Sequence, residues 1–446
     1  MKKIGFGIIG IVLVAVIYYF TSGSAEITQE MKAQVNNELA ILEQNGFAIQ
    51  EREIKKSEEH FIISFDDPQK IVTFFASQGS KIKLEDAAAL KGLKIGVDAK
   101  YLHDAYSALS VDIYPLNLPT SITELDMKEE DKLLIEQLNK MLKEKVLLVH
   151  VDFNKLLSSF KGYTKDIHET LQGKNEVKLH SEGFTFEGDI DKGKISRVDQ
   201  KIKHITFEAK GEANGELSEL NTHYKRTGST SYDSTSGYSV KNILLTGIND
   251  KSKVLVSIDD MHGDSITLIE KDLAQSSIKA SASKIKFEAN GEKNLLEGIT
   301  FHFNIKNIDM PALEKLEKAD TNNEAEINKL IQELISKGVS MEIPTFEIKK
   351  IETDGKRIDG FALTAHADID KSLNLAAIQS NPMVALNAIN TKTKITLSPE
   401  ILSLIARDPR AIMFMMLIQP QEVNGKKVYE VELKNGSLSI NGKPVM

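Results

Sequence analysis

Val254-Leu-Val256-Ser-Ile258 and, further on, Ile278-Lys-Ala280-Ser-Ala282 put an apolar side chain at every second position. A strand with that period packs one face and wets the other, which is the mark of an antiparallel sheet. The alternation recurs across residues 177–288. Asn-Gly or Asp-Gly pairs at Asn214, Asn290, Asp354, Asp359, Asn424, Asn435 and Asn441 read as hairpin turns. The last of the chain shows the pattern most fully: Tyr429, Val431 and Leu433 share a face, Asn435-Gly436 turns, and Leu438 and Ile440 return.

Helical spacing interrupts the strands. Met31, Val35, Leu39 and Leu42 lie on one stripe, and Asn45-Gly46 closes it. Asp67-Pro68 opens a short helix, and residues 128–145 place Leu134, Leu138, Met141 and Leu142 inward. Asp309 and Pro311 begin a further stretch, whose second half repeats Ile327, Leu330, Ile331, Leu334 and Ile335 before Gly338. Ser398-Pro399 opens the last helical region. Together these predict an α+β fold: an extended, curved antiparallel sheet with helical excursions packed on one face, plus an N-terminal transmembrane helix.

That N-terminal helix rests on residues 5–20, an unbroken apolar run after Lys2 and Lys3. Sixteen helical residues span roughly 24 Å, and residues 21–25 bring the segment near the ~30 Å of a bilayer core. Gly5, Ile9, Leu13 and Ile17 lie in the run, and Tyr18, Tyr19 and Phe20 sit where an interfacial aromatic belt would lie. Basic residues before the run and Glu26 and Glu30 after it predict a cytoplasmic N-terminus and an exported body. The flanks favour an uncleaved signal-anchor over residues 1–25; Gly23-Ser24-Ala25 leaves cleavage as the alternative. The body, residues 26–446, could divide near residue 170 into 26–170 and 171–446.

Composition narrows the function. Acids outnumber bases by 64 to 56, a formal charge of -8, which disfavours general nucleic-acid binding. The absence of cysteine excludes disulfides, thiol catalysis, Cys-ligated zinc and a lipoprotein anchor. No HExxH, GxSxG or nucleotide fingerprint occurs. Gly188-Asp-Ile-Asp-Lys-Gly193-Lys194 has phosphate-loop spacing, but Ile195 stands where magnesium needs a hydroxyl, so a hairpin is the better reading.

Three strands share the order apolar, His, apolar, Asp or Asn, apolar. They are centred on His150 with Asp152, His302 with Asn304, and His366 with Asp368, and each is expected to lead into a helix. Were they neighbours, the three histidines could form a metal or acid–base cluster; a solvated strand face is the simpler expectation. Asp259, His262 and Asp264 are candidate cation ligands in a segment that otherwise reads as a turn, and it lacks the closing Glu of an EF-hand loop. Residues 227–239, rich in Ser, Thr and Gly, read as a mobile loop. Residues 411–418 are the most apolar stretch after the anchor. Met413, Phe414, Met415, Met416 and Leu417 make either a buried turn or an adaptable surface for lipid or a partner.

The chain resembles the YdgA-like family of bacterial inner-membrane-anchored proteins. The likeness rests on the anchor, Gly183-Phe-Thr-Phe186-Glu-Gly188, the passage from Ile305 to Leu313 through Asp309-Met-Pro, and the closing Leu433 to Pro444. It implies a periplasmic body from a Gram-negative source and carries no catalytic residues. A looser likeness is to AsmA-like envelope proteins, whose sheets form lipid-bearing grooves. The expectation is a non-enzymatic envelope protein without cofactor, holding lipid or another hydrophobic ligand in a sheet groove. An interaction or self-assembly module, with a homo-oligomer as partner, is the alternative, and a periplasmic hydrolase is the third reading.

Overall fold

The computed structural model describes residues 29–77, 82–102, 107–123, 129–173, 175–191, 194–230, 232–249, 252–319, 323–353, 355–381, 383–406 and 419–445. Among them are 22 strands in antiparallel ladders and ten helices of 4 to 16 residues, so the fold is mostly β with short helices. This corrects the balance expected of an α+β fold: the helical stripes are real, but the strands run far longer. No described helix is long and apolar enough to cross a membrane. The predicted anchor, like residues 413–417, lies outside the described residues. The chain divides into two compact units, Met1–Thr222 and His223–Met446.

The first unit begins with α1 (Gln29–Gln44), β1 (Phe47–Ile54), β2 (Glu58–Phe65), α2 (Pro68–Ser77), α3 (Leu84–Ala89), β3 (Lys94–Tyr101) and β4 (Ser107–Pro115). It continues through α4 (Thr120–Thr123), α5 (Glu129–Lys143), β5 (Val149–Asn154), β6 (Ser159–Thr164) and β7 (Ile167–Leu171). Then come β8 (Val177–Glu182), β9 (Thr185–Asp191), β10 (Lys194–Ala209) and β11 (Ala213–Arg226), within which the division falls. The ladder runs β1, β2, β3, β4, β5, β6, β9, β10, with β8 and then β7 beyond the second half of β10. Phe61, Val97, Val111 and Val151 are fully buried on one face. They pack with Val35, Leu39 and Leu42 of α1 and Ile71, Phe74 and Phe75 of α2 in one core. The strand centred on His150 leads to β6 rather than to a helix, because Leu157 turns the chain directly back in a left-handed conformation.

The second unit contains β12 (Ser234–Asn249), β13 (Ser252–Glu270), β14 (Leu273–Ala289), β15 (Glu292–Asp309), α6 (Met310–Lys318), α7 (Glu324–Ile335), β16 (Val339–Thr353) and β17 (Lys356–Ile369). It ends with α8 (Leu375–Ser380), α9 (Met383–Ala388), β18 (Ile389–Leu397), α10 (Pro399–Ile405), β19 (Gln421–Val423), β20 (Lys426–Lys434), β21 (Ser437–Ile440) and β22 (Lys443–Pro444). From β12 to β18 each strand pairs with the next, and β20 follows β18. Asp309 caps α6 by accepting from the Ala312 amide, and Ser398 caps α10 by accepting from Ile401.

Several sequence expectations change here. Asp259, His262 and Asp264 belong to the middle of β13, not to a turn, because β12 and β14 pair with them on both sides. Asn214-Gly215 and Asp359-Gly360 likewise lie inside β11 and β17. The described residues of the loop expected over 227–239 are irregular only as far as Asp233. Its second half enters β12, and Asp233, only 7% exposed, accepts from Thr230 and the Ile269 amide.

One register row explains the second of these hidden turn signals. Ser283 and Gly298 fall between paired neighbours on adjoining strands, as do Asp260, Lys349 and Gly360. At that row the apolar pattern steps by three instead of two on every strand: Ile243 to Val240, Ile258 to Met261, Ile285 to Ala282, Leu296 to Ile299, Ile351 to Ile348, and Ile358 to Phe361. Asp260 (φ 48°) and Gly298 (φ 66°) take left-handed conformations there, which resets the alternation and keeps the apolar residues on one side. The first unit does the same. Gly183 (φ 66°) faces Lys203, and Ile202 and Ile205, three residues apart, line one recess.

Candidate functional site

The site is the apolar side of the second unit's sheet. Ile243, Ile258, Ile285, Leu296, Ile351 and Ile358 pair in turn across six strands, so one register row is apolar from β12 to β17. None of the six is buried. The next row places Leu245, Val256 and Phe287 together, with Leu245 48% and Phe287 43% exposed. Full burial of a side chain of this size is worth about 1.5–3 kcal/mol. Leaving the row short of it forfeits several kcal/mol, on the scale of a domain's whole net stability, ~5–15 kcal/mol.

Helices pack on one end of this side. Ile335 of α7, Leu375 and Ile378 of α8 and Ala388 of α9 pack onto Ile305, Met341 and Ile369. In mid-sheet the rings of Phe301, Phe346 and Phe361 meet edge to face, with centroids 5.9 and 5.3 Å apart. Beyond them, Ala282 and Ile348 are buried, and then the six-residue row opens.

The opposite face is charged. One residue from the apolar row on each strand lie Asn242, Asp259, Lys284, Glu297, Lys350 and Asp359, again paired in turn. Asn242 donates to Asp259 at 2.7 Å, Arg357 pairs with Glu297, and Lys350 pairs with Asp359. The Lys350 contact holds the Asp359 carboxyl below its usual range. A sheet with a charge ladder on one face and a half-buried apolar row on the other is amphipathic across its thickness.

The candidate histidines are each held locally. His302 Nε2 lies 3.1 Å from Ser277 Oγ, and His366 Nε2 lies 2.7 Å from Asp368 Oδ2. His302 opposes Thr345 and His366 opposes Glu342 on the intervening β16, so these two do not pair. His150 belongs to the first unit. Its Nδ1 is 2.7 Å from Asp112 Oδ1, its Nε2 is 3.2 Å from Asp152 Oδ1, and its ring stacks on Tyr163. Asp259, His262 and Asp264 stand on β13 as described, and among the described residues no group of three or more ligand side chains could hold a metal ion.

The structure gives His150 a companion that sequence reading missed. His60, Asp98, Asp112, His150 and Tyr163 form one row across β2 to β6. His60 Nδ1 lies 2.6 Å from Asp98 Oδ1, while Tyr114 donates to Asp98 Oδ2 at 2.8 Å and Lys145 at 3.1 Å. Burial alone would raise the Asp98 carboxyl, but the bonds from His60, Tyr114 and Lys145 outweigh it and hold it below the usual range. Lys145 is shifted up because Tyr114 and Asp98 overcome its desolvation. His60, Asp98, Tyr114 and Lys145 come from separate parts of the chain, so no local motif announces them. Nearby, burial and the Glu59 carboxylate push the Tyr101 hydroxyl up; Glu59 is 2% exposed and also binds Arg52.

No protein-family model, curated protein or solved structure matches the chain.

Proposed function

We propose that this chain is a non-enzymatic, membrane-anchored envelope protein whose second-unit sheet forms a groove for a lipid or another hydrophobic ligand. The observation that carries the reading is the row Ile243, Ile258, Ile285, Leu296, Ile351 and Ile358, apolar on six strands and buried on none. An acyl chain laid across such a row removes apolar surface from water without asking the row for hydrogen bonds. The anchor supplies proximity to lipid: residues 5–20 would tether the body to the inner membrane, with the N-terminus cytoplasmic and the body periplasmic. The resemblance to YdgA-like proteins points to the same compartment.

The test is extraction of the full chain from membranes followed by mass spectrometry of bound lipid. The wild-type chain carries lipid, and Ile258→Asp or Phe287→Asp strips most of it while leaving the chain folded. Absence of lipid from the folded wild-type chain contradicts the reading. A crosslinked homodimer through these same residues, without lipid, would put a second copy of the chain in the ligand's place.

A further inference from the structure

The first unit holds a separate apolar recess of about 320 Å³. Its walls include Val149 of β5, Ile167 of β7, Leu179 of β8, Phe184, and Ile202 and Ile205 of β10. Among the lining residues Lys165 is the one charged side chain. It is exposed, and its Nζ donates to the Glu144 backbone carbonyl at 3.4 Å, a neutral acceptor. The volume suits on the order of ten methylene groups, each taking about the space of a water in the liquid, ~30 Å³. It also falls at the lower end of small-ligand pockets, ~300–1,000 Å³.

We propose that this recess takes the acyl chain of an anionic single-chain amphiphile, with the head group on Lys165. Apolar walls select the tail. A lone cation among the lining residues selects a carboxylate or phosphate over a neutral head, because a charge-assisted hydrogen bond is stronger than a neutral one. The site stands on different residues from the sheet groove and does not rest on that reading.

The test titrates the full chain, held in solution by an amphipathic polymer, with three probes of equal tail length: decanoate, decanoyl-lysophosphatidylglycerol and decanol. At least one anionic probe binds with one equivalent per chain, about tenfold tighter than decanol, the gain expected of a hydrogen bond between charged partners. Lys165→Gln removes that preference and leaves decanol binding unchanged. Ile205→Trp, which fills the recess, removes that one equivalent for all three probes and leaves any binding that Ile258→Asp removes. Tight binding of decanoate alone assigns the site to free fatty acid, of the lysolipid alone to a phosphate head group, and either supports the proposal. Equal affinity for all probes, no binding, or a preference that survives Lys165→Gln overturns it. Lys165 is exposed, so its variant remains decisive even where the tryptophan variant fails to fold. Ile258→Asp, in the other unit, leaves this binding unchanged, so failure of the sheet groove and failure of the recess are told apart.

Discussion

At Asp98 three donors from three elements converge on one carboxylate. Replacing it by Asn leaves those donors with a weaker acceptor and should cost about 1–3 kcal/mol, read from urea unfolding. The pH dependence has a definite sign. The folded carboxyl titrates below its unfolded value, so its contribution is present above ~pH 4 and is lost as pH falls toward the folded value. The gap between wild type and Asp98→Asn should therefore narrow on acidification; a gap that widens below that pH would contradict the assignment. A second residue-scale prediction concerns Ser398, 2% exposed, which caps α10 and donates to the Asp359 carbonyl at 2.8 Å. Ser398→Ala should lose about 1–2 kcal/mol, the usual cost of an N-cap, measured by thermal or urea unfolding.

At the scale of elements, the second unit's strands depend on the row where alternation resets. Gly298 holds φ 66° in the middle of β15, with Lys349 Cδ 2.7 Å from where a Cβ would stand. Gly298→Val should destabilise by about 1–2 kcal/mol, the cost of a left-handed backbone for a residue with a Cβ. Gly247→Ala, in β12 with open space and no left-handed requirement, should be neutral or slightly stabilising. Equal losses at the two sites would remove the special role of the row. The same row shows what local sequence could and could not reveal. Asn290-Gly291, Asn424-Gly425, Asn435-Gly436 and Asn441-Gly442 turn between strands as expected, because nothing pairs across them. Asp359-Gly360 carries a similar local signal yet continues a strand, since β16 pairs with β17 on both sides of it, Lys350 with Asp359 and Ile348 with Phe361. Ile205–Glu212 and Ile285–Glu292 share the order Ile-x-Phe-Glu-Ala-x-Gly-Glu, and each carries the end of one strand into the turn before the next. His60 and His150 share a row only through the registers of β2, β3, β4 and β5, which no short window of sequence contains.

For the whole molecule, the decisive property is that one register row of the second unit's sheet is apolar on six strands while the row beside it, on the opposite face, is polar and charged. The alternation in Val254-Leu-Val256-Ser-Ile258 was legible from the start. That six such strands align Ile243, Ile258, Ile285, Leu296, Ile351 and Ile358 in one row was not, because register is a long-range property. An excess of acid over base and the lack of cysteine narrow the chemistry but do not choose a ligand. The most direct measurement is photocrosslinking in intact membranes, with a photoreactive amino acid at Ile285 and, in a separate chain, at the adjacent Lys284. A lipid adduct at Ile285 and none at Lys284 is the predicted result; adducts at neither position, or equally at both, would contradict an apolar sheet face that holds lipid.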